Sequence, residues 1–208
     1  MPESHPRPPG AGLRAAGVER TRRNLVAAGR RLLVERGFHQ LSLEDVAAAA
    51  EVTRVTIYRR FGSKLGLLDA IAEDLAQRAQ VVTAVGDAAA LADPVGAFRA
   101  MVREFCRFWD TDPDLFRRLV SLSAVEPEAQ RLIDDRERWR YDQISGFVHR
   151  LARADRLHPA FDEDHAVAAI GAVTAFPACD AMASRLGVGL ADLDGSLIAL
   201  LAGVVRLE

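Results

Sequence analysis

The segment from Ser42 to Lys64, SLEDVAAAAEVTRVTIYRRFGSK, constrains the fold more than any other part of the chain. Ser42 is a suitable N-cap for a short helix whose apolar stripe begins at Val46. Thr53 can cap a second helix that reaches Phe61. Few residues separate these two helices, so the sequence predicts a helix pair joined by a tight turn.

The second helix of this pair has two different faces. Ile57 and Phe61 are four residues apart, which places both on one apolar side that can face a core. The outer side carries hydroxyl and guanidinium groups. Such groups bond to phosphates and base edges, so the helix suits a DNA major groove. The polar residues are Arg54, Thr56, Tyr58, Arg59 and Arg60.

Flanking signals extend this pattern over residues 20–70. A predicted helix at 25–38 ends in Arg-Gly-Phe, and Gly62-Ser63-Lys64 opens another helix after the pair. Together the ordered signals resemble the DNA-binding domain of TetR-type bacterial repressors. Two positions differ from that family, which usually has Gly at Glu51 and often at Val55. A side chain at position 51 occupies a turn suited to positive φ, so we expect a strained or altered turn there.

The resemblance implies which residues contact DNA. In helix-turn-helix proteins the first turn of the second helix reaches base edges, while surrounding side chains hold phosphates. Arg54, Val55 and Thr56 are therefore expected to read bases, and Arg54 can bond to guanine. The alternative is an exposed polar helix face with no DNA partner. The full set of predicted DNA contacts is Ser42, Thr53, Arg54, Val55, Thr56, Tyr58, Arg59 and Lys64.

Charge divides unevenly along the chain. Residues 1–70 hold 12 basic and 7 acidic residues (+5), and residues 71–208 hold 15 and 22 (−7), which together give the net charge of −2. A basic N-terminal part suits phosphate binding, although a solvated helical surface also produces such an excess.

We predict a disordered leader at 1–18, a helix-turn-helix domain at 19–68 and a helical body at 69–208.

Helical periodicity continues through the body, and no strand alternation competes with it. The predicted fold is all-α, with a three-helix head, a larger helical body and about nine helices in total. Asp162 is a predicted N-cap, and Pro177 should kink the helix that follows by removing a bond to the Val173 carbonyl. The predicted body helices span 63–85, 94–110, 113–125, 126–154, a segment beginning at 162, and 190–205.

Aromatic residues are unusually frequent in the body. The family resemblance implies a cavity there that binds a small, largely apolar effector, whereas a plain hydrophobic core is the alternative. A metal site at His158, Asp162, Asp164 and His165 is also possible, but helix capping explains the acids, so we predict no metal and no cofactor. The predicted ligand-binding residues are Met101, Phe105, Cys106, Trp109, Phe116, Trp139, Phe147 and Phe176.

The last two predicted helices offer a surface for a second copy of the chain. The first is rich in alanine, from Ala168 to Ala181, and the second carries leucines from Leu193 to Leu201. In TetR-type proteins these helices form a four-helix interface, so the resemblance implies a homodimer. Packing within one chain is the alternative.

Other observations exclude several classes of protein. The chain has no GxGxxG, GxxxxGK[ST], GxSxG or CxxC sequence, so we do not expect an enzyme. Two cysteines and the lack of a long uncharged apolar run favour a cytoplasmic protein without membrane spans. We therefore predict a ligand-responsive repressor that binds a palindromic operator as a dimer and is released by its effector. The alternative is a helix-turn-helix regulator without a small-molecule effector.

Overall fold

The structure is a computed structural model that describes residues 11–208. In that range it contains eleven α-helices, one 3₁₀ helix and, apart from an isolated bridge between Leu157 and Val205, no β-structure. The predicted all-α class is confirmed. The chain divides into two compact units, the first ending at Ala72 and the second beginning at Glu73. No single helix of the described residues is long and apolar enough to cross a membrane.

The first unit, the head, begins with a longer helix than the sequence predicted. Residues 11–18 belong to this helix, which corrects the expected disordered leader over that stretch; residues 1–10 lie outside the described range. Composition misled the prediction because all four prolines of the leader precede Ala11. The helices of the head are α1 (Ala11–Arg36), α2 (Leu43–Ala49), α3 (Arg54–Phe61) and the first part of α4 (Lys64–Ala79).

A small apolar core fixes the orientation of α3. Ile57 is fully buried, as are Leu25 of α1 and Val46 of α2. At Gly29 of α1, an added Cβ would lie 3.1 Å from side-chain atoms of Leu67 and Ile71. This close approach means that α1 and α4 pack tightly at Gly29, within the core of the head.

Both predicted N-caps of the helix pair are present. The Asp45 amide donates to Ser42 Oγ at 3.0 Å, and the Thr56 amide donates to Thr53 Oγ1 at 3.4 Å. Each bond satisfies one of the amides that the first turn of a helix leaves without a partner. The local sequence thus sets where α2 and α3 begin.

The turn between α2 and α3 is strained at the position where the sequence indicated strain. Glu51 has a φ of 55°, a left-handed conformation that disfavours residues with a Cβ. We expect Glu51→Gly to raise the free energy of unfolding by roughly 0.5–1 kcal/mol, as measured by urea titration with circular dichroism. Ala48→Gly is the matched control, because Ala48 is an exposed residue inside α2. Glycine at this position should lower the free energy of unfolding by roughly 1 kcal/mol. If both variants lower the free energy of unfolding by the same amount, the backbone at Glu51 is not strained.

The helices of the second unit, the body, are more numerous than predicted. The expected helix at 63–85 is broken at Gln80, whose φ is 52°. After this break Val81 and Val85 turn inward and are buried, and α5 packs against α6. Helices α6, α7 and α8 start within a residue of the predicted positions. The body helices are α5 (Val81–Ala89), α6 (Pro94–Asp110), α7 (Pro113–Ser123), α8 (Pro127–Arg153), α9 (Glu163–Val173), α10 (Phe176–Leu186), the 3₁₀ helix Leu190–Leu193 and α11 (Asp194–Leu201).

Pro177 breaks the predicted helix at 162 into α9 and α10, whose axes differ by 49°. The predicted effect of this proline is confirmed, and it is larger than a kink. Proline has no amide hydrogen, so the Val173 carbonyl lacks its helical donor and accepts from Cys179 Sγ at 3.8 Å. The neighbouring Thr174 carbonyl accepts from Trp109 Nε1 at 2.9 Å. Side chains therefore replace the backbone bonds at this break.

Candidate nucleic-acid interface

Helix α3 presents one buried and one exposed side. Ile57 is fully buried, while Val55 is 74% exposed and Tyr58 is 41% exposed. Arg54, Val55 and Thr56 form the first turn, and Arg59 lies one turn later on the exposed side. An exposed valine on a short helix has no packing role in the head. The arrangement instead leaves the first turn open to a partner surface.

Arg54 is held in place by two neighbouring side chains. Its Nε lies 2.8 Å from Glu44 Oε1 of α2, and its Nη2 donates to the Tyr58 hydroxyl at 3.3 Å. The guanidinium also lies 5.2 Å from the centroid of the Tyr58 ring. The hydrogen bond to Tyr58, followed by the charge of Glu44, raises the pKa of Arg54 above its usual value. The guanidinium is therefore charged at neutral pH and is held by two contacts along one edge, through Nε and Nη2.

Glu44 was not among the residues predicted from sequence. It stands ten positions before Arg54, and its acidic side chain in the first turn of α2 has the ordinary appearance of a helix-dipole residue. Only the tertiary arrangement of α2 and α3 brings the two charges together.

The remaining predicted DNA contacts have structural partners of their own. Ser42 and Thr53 are N-caps, and the Thr53 and Thr56 hydroxyl oxygens lie 3.0 Å apart. Lys64 Nζ lies 4.1 Å from the centroid of the Phe38 ring, a cation–π arrangement at the start of α4. These contacts limit the rotamers of the side chains near α3.

A groove of about 430 Å³ lies beside α3. Its lining combines two arginines of α3, Arg59 and Arg60, with Val55, Thr56 and Val18 of α1. Such a surface offers guanidinium groups for phosphates and methyl groups for apolar contact. Arg60 was predicted on the outer side of α3 but not among the DNA contacts, and Val18 was not predicted at all. Their place in one groove depends on how α1 and α3 pack in the folded head.

The predicted ligand-binding residues of the body are packed together. The ring centroids of Trp109 and Phe116 are 4.8 Å apart, and Phe176 lies 5.7 Å from Trp109 and 5.1 Å from Phe116. Neither the groove beside α3 nor a second cavity, of about 390 Å³ near His158 and Arg206, is lined by any of the eight residues. Met101, Phe105, Cys106 and Phe147 are buried, and Trp139 is partly exposed.

Burial also determines the chemistry of the two cysteines. It raises the pKa of Cys106 to about 12 and that of Cys179 to about 11. Both thiols therefore stay protonated near neutral pH, where the thiolate is the reactive form. Cys106 can act as a small apolar wall residue.

Among the acidic and histidine residues near 162, Asp162 is the N-cap of α9. Asp162 accepts from the His165 amide at 2.8 Å, and its carboxylate lies 2.7 Å from His165 Nδ1. The hydrogen bond from the His165 amide, together with that side chain, lowers the pKa of Asp162. His158 Nδ1 accepts from the Ala160 amide at 3.2 Å. Within residues 16–208, no three His, Cys, Asp or Glu side chains are grouped as metal ligands.

The head matches a known family. Residues 25–71 fit the sequence profile described as bacterial regulatory proteins, tetR family, and this range contains α2, α3 and the cores of both neighbouring helices. The head is a TetR-type DNA-binding domain. The family predicted from the Ser42–Lys64 pattern is thereby confirmed.

Solved structures share the fold of this chain over most of its length. The fatty acid degradation regulator FadR from Bacillus halodurans has a TM-score of 0.75 at 17% identity, with 88% of this chain and 95% of that chain covered. NalD, the secondary repressor of a Pseudomonas aeruginosa multidrug efflux pump, gives 0.69 at 22%, covering 91% and 98%. A Saccharomonospora viridis protein in complex with choline gives 0.67 at 18%, covering 90% and 98%. At these identities the likeness shows the fold.

The body contains a buried arginine that sequence reasoning missed. The Arg140 side chain is 4% exposed; it donates to the Gly171 carbonyl and Thr174 Oγ1 at 3.1 and 3.0 Å, and lies 2.7 Å from Glu137 Oε2. It also lies 4.9 Å from the centroid of the Tyr141 ring. Arg140 belongs to a run of charged residues on α8, where arginine is normally exposed, so the sequence carried no signal for its burial.

Proposed function

We propose that this TetR-type regulator represses transcription by binding a palindromic operator as a homodimer, and that a small, largely apolar effector releases it. The exposed first turn of α3, with the oriented guanidinium of Arg54, is the observation that supports DNA reading. One recognition helix reads too few base pairs for genomic specificity, and two-fold proteins favour two-fold sites. Base reading is assigned to Arg54, Val55 and Thr56, and phosphate binding to Ser42, Tyr58, Arg59 and Lys64. Thr53, the N-cap of α3, completes the set of proposed DNA contacts.

Exposed apolar side chains support dimerisation through the C-terminal helices. Leu186 at the end of α10 is 57% exposed, and Leu200 of α11 is 58% exposed. Ala168, Ala172 and Ala181 of α9 and α10 are also exposed, and their small size allows close approach of another helix. Leu193, Leu197 and Leu201 point into the body instead, so only part of the predicted leucine surface is free for a partner.

The aromatic cluster around Trp109 supports an apolar effector. Trp109, Phe116 and Phe176 come from α6, α7 and α10, so a ligand that separates these rings would move three helices at once. Such a ligand shifts the protein only as far as its affinities for the two states differ. In the proposal this movement changes the spacing of the two recognition helices in the dimer.

The same packing favours a second candidate, a regulator without a small-molecule effector. The ring centroids of Trp109, Phe116 and Phe176 are about 5 Å apart, so no ligand fits between these three rings unless the helices separate. In that case the body serves dimerisation or contact with another protein, and the role of α3 in DNA binding is unchanged.

Selection from a random pool of DNA duplexes tests the DNA-binding proposal. We expect the full chain to enrich an inverted repeat and to sediment as a dimer at micromolar concentration, alone and on the selected duplex. Binding to the unselected pool at the same salt is the control, because phosphate contacts alone give affinity without preference. A monomer, or equal affinity for the selected duplex and the pool, would contradict the proposal.

The selected duplex also separates the two candidates for the body. Apolar compounds can be screened for a rise in melting temperature, and the stabilising ones then tested for release of the duplex. Release supports the effector, whereas stabilisation with unchanged DNA affinity supports the effector-free regulator.

A further inference from the structure

The ion pair between Glu44 and Arg54 places an acidic residue next to the proposed DNA-reading group. The 2.8 Å contact joins α2 to the first turn of α3, and both side chains are about half exposed or more, at 50% and 62%. An exposed pair of this kind contributes little to the stability of a fold. A carboxylate on a surface that faces phosphates also weakens DNA binding in general. The carboxylate of Glu44 therefore lowers the affinity for DNA, while its ion pair with Arg54 adds little to the stability of the head.

The geometry of the guanidinium shows what the contact can provide. Glu44 lies at Nε and Tyr58 accepts from Nη2, so one edge of the group is engaged within the protein, and Nη1 makes no hydrogen bond to any residue that the structure describes. Long side chains lose rotamer freedom on binding, and contacts that orient them beforehand lower that loss. An arginine held at two points is limited in how it can swing toward a phosphate. It can still bond to a base edge directly in front of it.

We propose that Glu44 is a positioning residue for sequence discrimination: it holds Arg54 toward one base pair and disfavours phosphate binding by the same guanidinium. This inference rests on the proposed DNA reading by Arg54. Glu44 weakens binding to all duplexes through its charge, and it preserves binding to the correct sequence through the orientation of Arg54. The role of Glu44 is therefore measured by the ratio of the affinity for the correct sequence to the affinity for other sequences, and not by either affinity alone.

Glu44→Gln tests this role, with Glu51→Gln as the matched control. Both substitutions remove one negative charge from the head, but Glu51 lies in the turn between α2 and α3, whereas the ion pair of Arg54 is with Glu44. The probes are the duplex selected by the wild-type chain and a scrambled duplex of equal length. We expect Glu44→Gln to tighten binding to the scrambled duplex several-fold without tightening the selected one, so that discrimination falls about three- to tenfold. Glu51→Gln should shift both affinities by the same factor.

A double-substitution cycle completes the experiment. In an Arg54→Ala background, Glu44→Gln should change both affinities equally, because no guanidinium remains to be positioned. If Glu44→Gln matches Glu51→Gln in the wild-type background, the carboxylate is an ordinary surface charge and the inference is wrong. If the wild-type chain selects no sequence, the proposed function fails first. The two failures are therefore distinguishable.

Discussion

Arg54→Ala is expected to abolish sequence preference at one base pair of each half-site while leaving general DNA affinity largely intact. Arg54 occupies the first turn of α3, and a guanidinium bonded to guanine discriminates against other bases roughly tenfold to a hundredfold. Its loss removes a base contact, so the drop in affinity should be large on the selected duplex and small on scrambled DNA. Titrations against duplexes that vary one base pair at a time measure this directly.

Lys64→Ala is the contrasting variant for the same titrations. Lys64 lies at the start of α4 against the Phe38 ring, where it can neutralise a phosphate but is not placed on α3. We expect it to weaken all duplexes alike and to reduce the slope of log affinity against log salt by about one unit. If Lys64→Ala changes the base preference, or if Arg54→Ala lowers the affinity for all duplexes equally, the assignment of base reading to Arg54 and phosphate binding to Lys64 is wrong.

Arg140→Met is expected to destabilise the body by roughly 3 kcal/mol, because the variant keeps an unbranched apolar stem but removes the guanidinium and its donors. The Gly171 carbonyl and Thr174 Oγ1 would lose the guanidinium bonds that they accept next to the α9–α10 break. Glu137 would lose its ion-pair partner, although its partial exposure limits that share of the effect. Urea unfolding followed by tryptophan fluorescence reports this change, since both tryptophans lie in the body.

Arg138→Met is the matched control for Arg140→Met. Arg138 is on the same helix, pairs with Asp135 three residues away and has a side chain that is 69% exposed. Its replacement should change the free energy of unfolding by no more than about 0.5 kcal/mol. If the two variants have equal stability, the buried bonds of Arg140 do not support the break between α9 and α10.

Local sequence signals determined the head and most of the helix starts. Ser42, Thr53 and Asp162 are N-caps in the structure as the sequence predicted, because the side-chain oxygen and the amide it caps are only two or three residues apart. The strained turn at Glu51 and the effect of Pro177 were predictable for the same reason. Each depends on backbone geometry within one turn of the chain. The family also followed from this short segment, since its signals are ordered along the sequence.

Tertiary packing decided the features that join distant segments. The break at Gln80 follows the burial of Val81 and Val85 beside α6, and no local residue marks it as a stop. The ion pair of Glu44 with Arg54 and the burial of Arg140 depend on which helix faces lie together, which periodicity alone does not specify. Aromatic richness in the body predicted that Trp109, Phe116 and Phe176 would lie inside. It could not determine that they would fill the space with one another, because packing density depends on the relative positions of α6, α7 and α10.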